Sequence, residues 1–222
     1  MPALAKRLGL LTILLLLLFL GVCASANALE YREYLRLHAD TPQGGESIVL
    51  QAADYSAAEG EELSLLPDGT LSTGQRGYVE YRFSVPEDGL YTMTLRYFPG
   101  TGSGGDMLRA LSINGETPFD EAGELSFSRL WNDQSRDYKN VSGNQPFPAQ
   151  VQTPEWREAP CRDAQGYTAE PFRFFFPAGE NTLRISSLQE GMLLSSITLA
   201  PPVSYPSYQE YLQSALANGA EY

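Results

Sequence analysis

The sequence predicts an all-β protein, a two-sheet sandwich of the jelly-roll kind with short helices only at its ends. Three observations carry this. Several short runs alternate apolar and polar residues with a period of two. Turn-forming residues separate those runs, and helical spacing of apolar residues occurs only near Tyr31 and again near Tyr208.

From the amino end of the folded part, Leu29 to Asp40 places Tyr31, Tyr34, Leu35 and His38 at i, i+3, i+4 and i+7, which predicts a short amphipathic helix. The stretch from Thr41 to Gly45 ends it. Ser47 to Tyr55 reads as the first strand, with Ile48, Leu50 and Ala52 on one face. Ser56 to Gly74 is rich in Gly, Ser and acidic residues and reads as loop, with a short strand near Leu63 to Leu66. From Gly77 to Gly115 the pattern is strongest. Val79, Tyr81, Phe83 and Val85 alternate with Glu80, Arg82 and Ser84; Tyr91, Met93, Leu95 and Tyr97 alternate with Thr92, Thr94 and Arg96. Pro86 to Gly89 suits a hairpin turn, and Met107 to Ile113 ends in Asn114-Gly115, a strong hairpin signal. These runs predict an antiparallel meander. Leu125 to Trp131, Phe172 to Phe176, Thr182 to Leu188 and Met192 to Leu199 add strands, for about eight to ten in all. Asn132 to Pro160 is the least regular segment, and a loop of that length in a compact domain is usually functional or disordered. Its aromatics Tyr138, Phe147 and Trp156 argue against disorder.

Residues 1–28 read as a signal peptide: Lys6 and Arg7, then 13 almost wholly apolar residues from Leu8 to Leu20, then small residues at Ala26-Asn27-Ala28. An alternative is lipidation at Cys23, because Leu20-Gly21-Val22-Cys23 looks like a lipoprotein box; that is the one membrane attachment the sequence offers. The remaining organisation is a helix and lead-in over 29–45, the sandwich over 46–200, and a linker or the start of a following domain over 201–222. The Ser207 to Leu212 segment echoes Tyr31 to Leu35, so the chain reads as a piece of something longer.

The formal net charge is −12, from 27 acidic and 15 basic residues. Losing Lys6 and Arg7 with the leader would take it from −12 to −14. A nucleic-acid partner needs clustered cations, and there is no basic stripe; docking on an anionic membrane surface is disfavoured for the same reason. Of the two cysteines, Cys23 belongs to the leader. Cys161 is then left without an intramolecular partner, and the only histidine, His38, lies far from it in sequence.

No zinc-type cluster, GxSxG or P-loop occurs, and no GxGxxG opens a helix after a strand; the expectation is a protein without catalysis. The glycines of residues 100–105 lie between two strands and read as a flexible hairpin loop. The informative cluster is Phe127 to Asp133 followed by Tyr138, Asn140, Asn144, Gln150 and Trp156, because flat rings stack on sugar rings while amides, carboxylates and guanidinium groups bond the hydroxyls. Arg129, Trp131, Asn132, Asp133, Tyr138, Asn144, Gln150 and Trp156 are the candidate carbohydrate-binding residues. Against this stands the reading that Trp131 and Trp156 are core residues pinning a long loop.

On these stretches the chain resembles a known family. Ser47 to Gly60, Tyr78 to Phe98 and Leu108 to Gly115 resemble the galactose-binding-like jelly roll of carbohydrate-binding module families 6 and 35. A closer resemblance is to a domain at the N-terminus of large extracellular solute-binding proteins of bacterial ABC importers. There a segment like Phe127 to Asp133, a Gly-Asn followed by Pro (here Gly143, Asn144, Pro146), then Gln150, Trp156 and a run like Gly166 to Phe176 occur in this order. The resemblance spans roughly Tyr31 to Leu212. It implies an oligosaccharide or polysaccharide ligand and an ABC-transporter solute-binding domain or permease as partner. The carbohydrate modules also carry a structural calcium held by a Glu on the first strand and an Asp on the last. The matching stretches here contain Gln51 and Ser195-Ser196, so the ion is not expected; Asp54 and Glu59 are the remaining candidates. Three functions stay open: a sugar-recognition domain, a spacer or docking domain without ligand, and an accessory module of a glycoside hydrolase or an unrecognised hydrolase.

Overall fold

The computed structural model describes residues 29–100, 102–134 and 147–220. Residues 1–28, Cys23 among them, and Tyr138, Asn140 and Asn144 lie outside the described residues. Within them the protein is a sandwich of two antiparallel sheets. Helix α1 (Tyr31–Leu37) leads into strand β1 (Ile48–Gln51), a 3₁₀ turn (Ala52–Asp54), and strands β2 (Ala57–Glu59), β3 (Ser64–Leu65) and β4 (Leu71–Thr73). The long strands β5 (Gly77–Val85), β6 (Gly89–Pro99) and β7 (Met107–Ile113) follow, then β8 (Leu125–Phe127), β9 (Trp131–Asp133), β10 (Gln150–Gln152), β11 (Arg157–Pro160) and β12 (Arg173–Phe176). Strands β13 (Gly179–Gln189) and β14 (Met192–Ala200) close the sheets, and helix α2 (Tyr208–Ala217) comes last.

The expected meander does not form. Strand β5 pairs with β2 and β13, whereas β6 pairs with β14, β11 and β12 in the opposite sheet. β7 returns to the first sheet between β13 and β8. Consecutive strands therefore cross between layers, which is the jelly-roll connection. The turn from Pro86 to Asp88 is a corner rather than a hairpin. Asp88 caps it by accepting the Ala178 N–H at 2.7 Å. Gly89 serves close packing rather than a positive φ: a Cβ there would lie 2.7 Å from the Gly44 Cα. Period-two patterning specifies which face of a strand is buried and nothing about its neighbour. The Asn114-Gly115 turn does have positive φ at both residues (52° and 87°), but the chain returns for only one bridge, Ile113 to Glu116. The Leu125 to Trp131 strand splits, with β8 on the main sheet and β9 leaving it to pair with β10. Two further short strands, β2 and β4, occupy the segment read as loop.

The inner faces are as the alternation requires. Tyr91, Met93, Leu95 and Tyr97 are fully buried, and they meet Val79, Tyr81, Val85, Leu111, Leu183 and Ile185 from the other sheet in one core. Buried phenols are satisfied: Tyr81 donates to the Ala52 carbonyl and Tyr97 to that of Ser128. A shift of register between Leu194 and Ser196 keeps Met192, Leu194, Ile197 and Leu199 all inward. Arg109 takes an inward position on β7, where it donates to the Leu108 and Gln189 carbonyls and to Thr73 Oγ1. Desolvation there pulls its pKa down to about 10.

Helix α1 packs on the sandwich through Tyr31 and Tyr34, whose rings lie 4.8 and 5.0 Å from Phe119. Their hydroxyls accept the Arg173 and Phe175 amides of β12, so the helix also closes a sheet edge. Helix α2 repeats the Tyr-x-Glu-Tyr-Leu pattern and adds a Ser207/Glu210 capping box that α1 lacks, yet buries no residue.

Candidate functional site

Strands β9 and β10 form a separate two-stranded ribbon with Trp131 opposite Gln152, Asn132 opposite Val151 and Asp133 opposite Gln150. Residues directly opposite share a face, and neighbours along a strand alternate. Trp131, Asp133, Gln150 and Gln152 therefore lie on one face, and Asn132 and Val151 on the other. Gln150 donates its amide to Asp133, and Asn132 donates to Thr153 Oγ1 at 2.7 Å, so each face is cross-braced. Trp131 is 44% exposed, and Phe147 and Val151 are exposed too. Three of the expected residues, Trp131, Asp133 and Gln150, are thus brought together. Gln152, which the sequence reading passed over, completes their face.

Trp156 belongs to an adjoining surface. The ribbon is tied down where the Thr153 amide donates to the Leu130 carbonyl. Three residues later, at most about 11 Å of chain, Trp156 stands just ahead of β11 on the outer face of the β6 sheet. Its ring lies 5.7 Å from that of Phe98, the Arg96 guanidinium carbon is 5.7 Å from its centroid, and it is 40% exposed. Glu158 meets Arg96 at 3.8 Å. The reading of both tryptophans as core is therefore corrected: each leaves a large part of its ring to solvent. Phe98 and Arg96 were missed because they read as ordinary outward positions of a strand.

Arg129 is also corrected. It is 6% exposed and turned inward. Its Nε donates to the Gly105 carbonyl, Nη1 to the Gly100 carbonyl and to Gln152, and Nη2 to Glu190 at 3.0 Å. Glu190 sits at the corner between β13 and β14 with φ of 57°, a left-handed conformation uncommon for a non-glycine residue, and is 3% exposed. Both its oxygens accept the Ser103 N–H, and it also takes the Ser103 hydroxyl. The Ser103 hydroxyl, then its amide and the Arg129 charge, hold the Glu190 carboxyl below its usual 4.5. The glycine loop is thus pinned between sheets, not free between hairpin strands. A Cβ on Gly104 would meet the Trp131 ring at 3.5 Å and Gln152 at 3.2 Å, so the loop backs directly onto the ribbon.

The other candidates assemble no chemistry. Asp54 ends the 3₁₀ turn and Glu59 ends β2, both exposed, and no group of three His, Cys, Asp or Glu side chains is placed to hold a metal among the described residues. Gln51 faces Ser196 across the β1–β14 ladder, so the two positions where the resemblance would place calcium ligands adjoin but offer only neutral oxygens. The residues present do not fit a hard cation there. Cys161 is buried, which pushes its thiol pKa up, while His38 stacks on Phe175 at 4.5 Å. No helix among the described residues is long and apolar enough to cross a membrane.

No family model matches the chain, and no curated protein matches it. Among solved structures it is similar to a family 35 carbohydrate-binding module from Clostridium thermocellum, at 15% identity over 70% of this chain and 98% of that one, with a TM-score of 0.44. It is also similar to a Podospora anserina GH26-CBM35 β-(1,4)-mannanase, at 16% identity over 72% of this chain, with a TM-score of 0.43; the match spans 29% of the mannanase chain. The family 35 module of Cellvibrio japonicus Abf62 gives 16% identity, 71% and 95% coverage and a TM-score of 0.41.

Proposed function

We propose that this chain is a non-catalytic carbohydrate-recognition domain. Its ligand face is the ribbon of Trp131, Asp133, Gln150 and Gln152 together with the adjoining Trp156, Phe98 and Arg96. The observation that carries the reading is the exposure of both tryptophans, each bordered by side chains able to bond hydroxyls. An aromatic ring left in water costs free energy that a folded chain usually avoids, and stacking a sugar recovers it. In this reading the domain is an accessory part of a secreted or cell-surface solute-binding protein for sugar import. It presents oligosaccharide to the transport domain, any membrane anchor is a lipid on Cys23, and residues 201–222 are a linker or the start of a following domain.

The test is Trp131→Ala, assayed by retention on xylan, mannan, β-glucan and pectin. Covering one ring face removes roughly 100 Å² of apolar surface from water, about 2.5 kcal/mol at ~25 cal/mol/Å², so affinity should fall by about 50- to 100-fold. Because the ring is 44% exposed, the folding cost should stay near 2 kcal/mol, against ~3–5 kcal/mol for a fully buried tryptophan. A variant that unfolds instead would return Trp131 to a structural role. A wild-type chain retained by none of the four polysaccharides would leave the spacer reading. The size of the native product, by immunoblot against residues 29–222, tests the import setting: a band near 24.4 kDa would remove it.

A further inference from the structure

We propose that Glu190 is the positioning residue of this site, holding the glycine loop as a fixed wall behind Trp131. The inference rests on the carbohydrate-recognition reading and adds to it a residue that never touches ligand. Glu190 belongs to neither the ribbon nor the loop. It comes from the corner joining β13 to β14, the two strands central to opposite sheets. Its carboxylate reaches the loop through the Ser103 amide and hydroxyl and reaches Arg129 at 3.0 Å. Arg129 then carries the restraint onward, to the carbonyls of Gly100 and Gly105 that bracket the loop, and to Gln152 on the ligand face. The chain of contacts from sheet corner to Trp131 is therefore Glu190, Ser103 and Arg129, Gly104 and Gln152, then the indole.

Two features show that the arrangement is built around the carboxylate. Gly102 admits no side chain: its Cβ would lie 1.6 Å from Glu190 Oε2 and 3.1 Å from Arg129 Nη2. Glu190 itself keeps a left-handed backbone that Gly or Asn would adopt more readily, and such strain persists where the surroundings over-determine it. A buried pair with side chains 1% and 4% exposed is a poor way to gain stability but an effective way to fix geometry. Ligand affinity then depends on Glu190 because a wandering indole must be ordered again at each binding event.

The test uses the full chain with Trp156→Phe, which leaves Trp131 as its one tryptophan. Glu190→Gln removes the charge and keeps the shape; Gly102→Ala disturbs the same contact from the loop side. In both, acrylamide quenching of Trp131 should rise by about twofold while the thermal transition stays cooperative. With Trp156 restored, affinity for whichever of xylan, mannan, β-glucan or pectin binds the wild-type chain should fall by about tenfold. Arg129→Lys, which keeps the charge but not the fork, should give the same two changes rather than rescue them. Unchanged quenching in folded Glu190→Gln and Gly102→Ala proteins would overturn the proposal. Should Glu190→Gln fail to fold, Gly102→Ala decides. Should the wild-type chain bind no polysaccharide, the recognition reading fails, while the quenching still decides whether Glu190 holds Trp131.

Discussion

Replacing Tyr34 by Phe tests how α1 is held to the sandwich. The ring is 6% exposed and packs at 5.0 Å on Phe119 and 4.6 Å on His38. Phenylalanine keeps all of that packing. What it removes is the hydroxyl that accepts the Phe175 N–H at 2.6 Å, on an edge strand whose amide has no ladder partner on that side. Stranding a partly buried backbone donor costs about 1–2 kcal/mol. Tyr34→Ala loses the ring as well and should cost about 3–5 kcal/mol. Urea denaturation is the assay: the midpoint should fall with an unchanged slope, because the surface exposed on unfolding is nearly the same. Amide exchange at Phe175 should accelerate while that at Tyr91, its paired position on β6, stays slow. The same hydroxyl gives a pH signature. Burial pushes the Tyr34 pKa up to about 12 from 10.0. Between those values the unfolded chain has lost the proton and the folded chain has kept it, so stability falls as pH rises from 10 towards 12. That fall should be shallower in Tyr34→Phe. A Phe variant within about 0.3 kcal/mol of the parent, with unchanged exchange at Phe175, would refute the account of α1 as a cap on the edge of β12.

Two further outcomes follow from the backbone. Gly77 has φ of 115°, and a Cβ there would stand 2.1 Å from the Glu59 carbonyl oxygen; Gly77→Ala should strip β2 from β5 and cost about 3 kcal/mol or more, and a loss under about 1 kcal/mol by the same denaturation assay would contradict the close approach. Helix α2 buries no residue, so deleting residues 206–220 should change the unfolding free energy by less than about 0.5 kcal/mol, and a larger fall would mean that its exposed tyrosines cover something in this chain.

The sequence by itself determined the inward and outward faces of nearly every strand, the helix at each end and the predominance of β structure. These follow from local spacing: a period of two or of 3.6 says which side chains share a face, whatever lies opposite. It also singled out Trp131, Asp133 and Gln150 as polar and aromatic candidates, but read them as the end of one strand and a long loop; that they pair as a ribbon came only from the structure. Tertiary structure alone decided which strands pair. Tyr91 to Tyr97 would bury equally well beside β5 or across from it, and the choice rests on ladders with β14, β11 and β12 that close over large separations in sequence. It likewise turned Arg129 from the expected binding surface to the interior, since an arginine two residues before a tryptophan faces the opposite way once β8 and β9 part company. Glu190 had no signal at all. A Glu-Gly between two strands reads as an ordinary solvated turn, and only the approach of the glycine loop, 87 residues earlier at Ser103, makes its carboxylate the fixed point of the site.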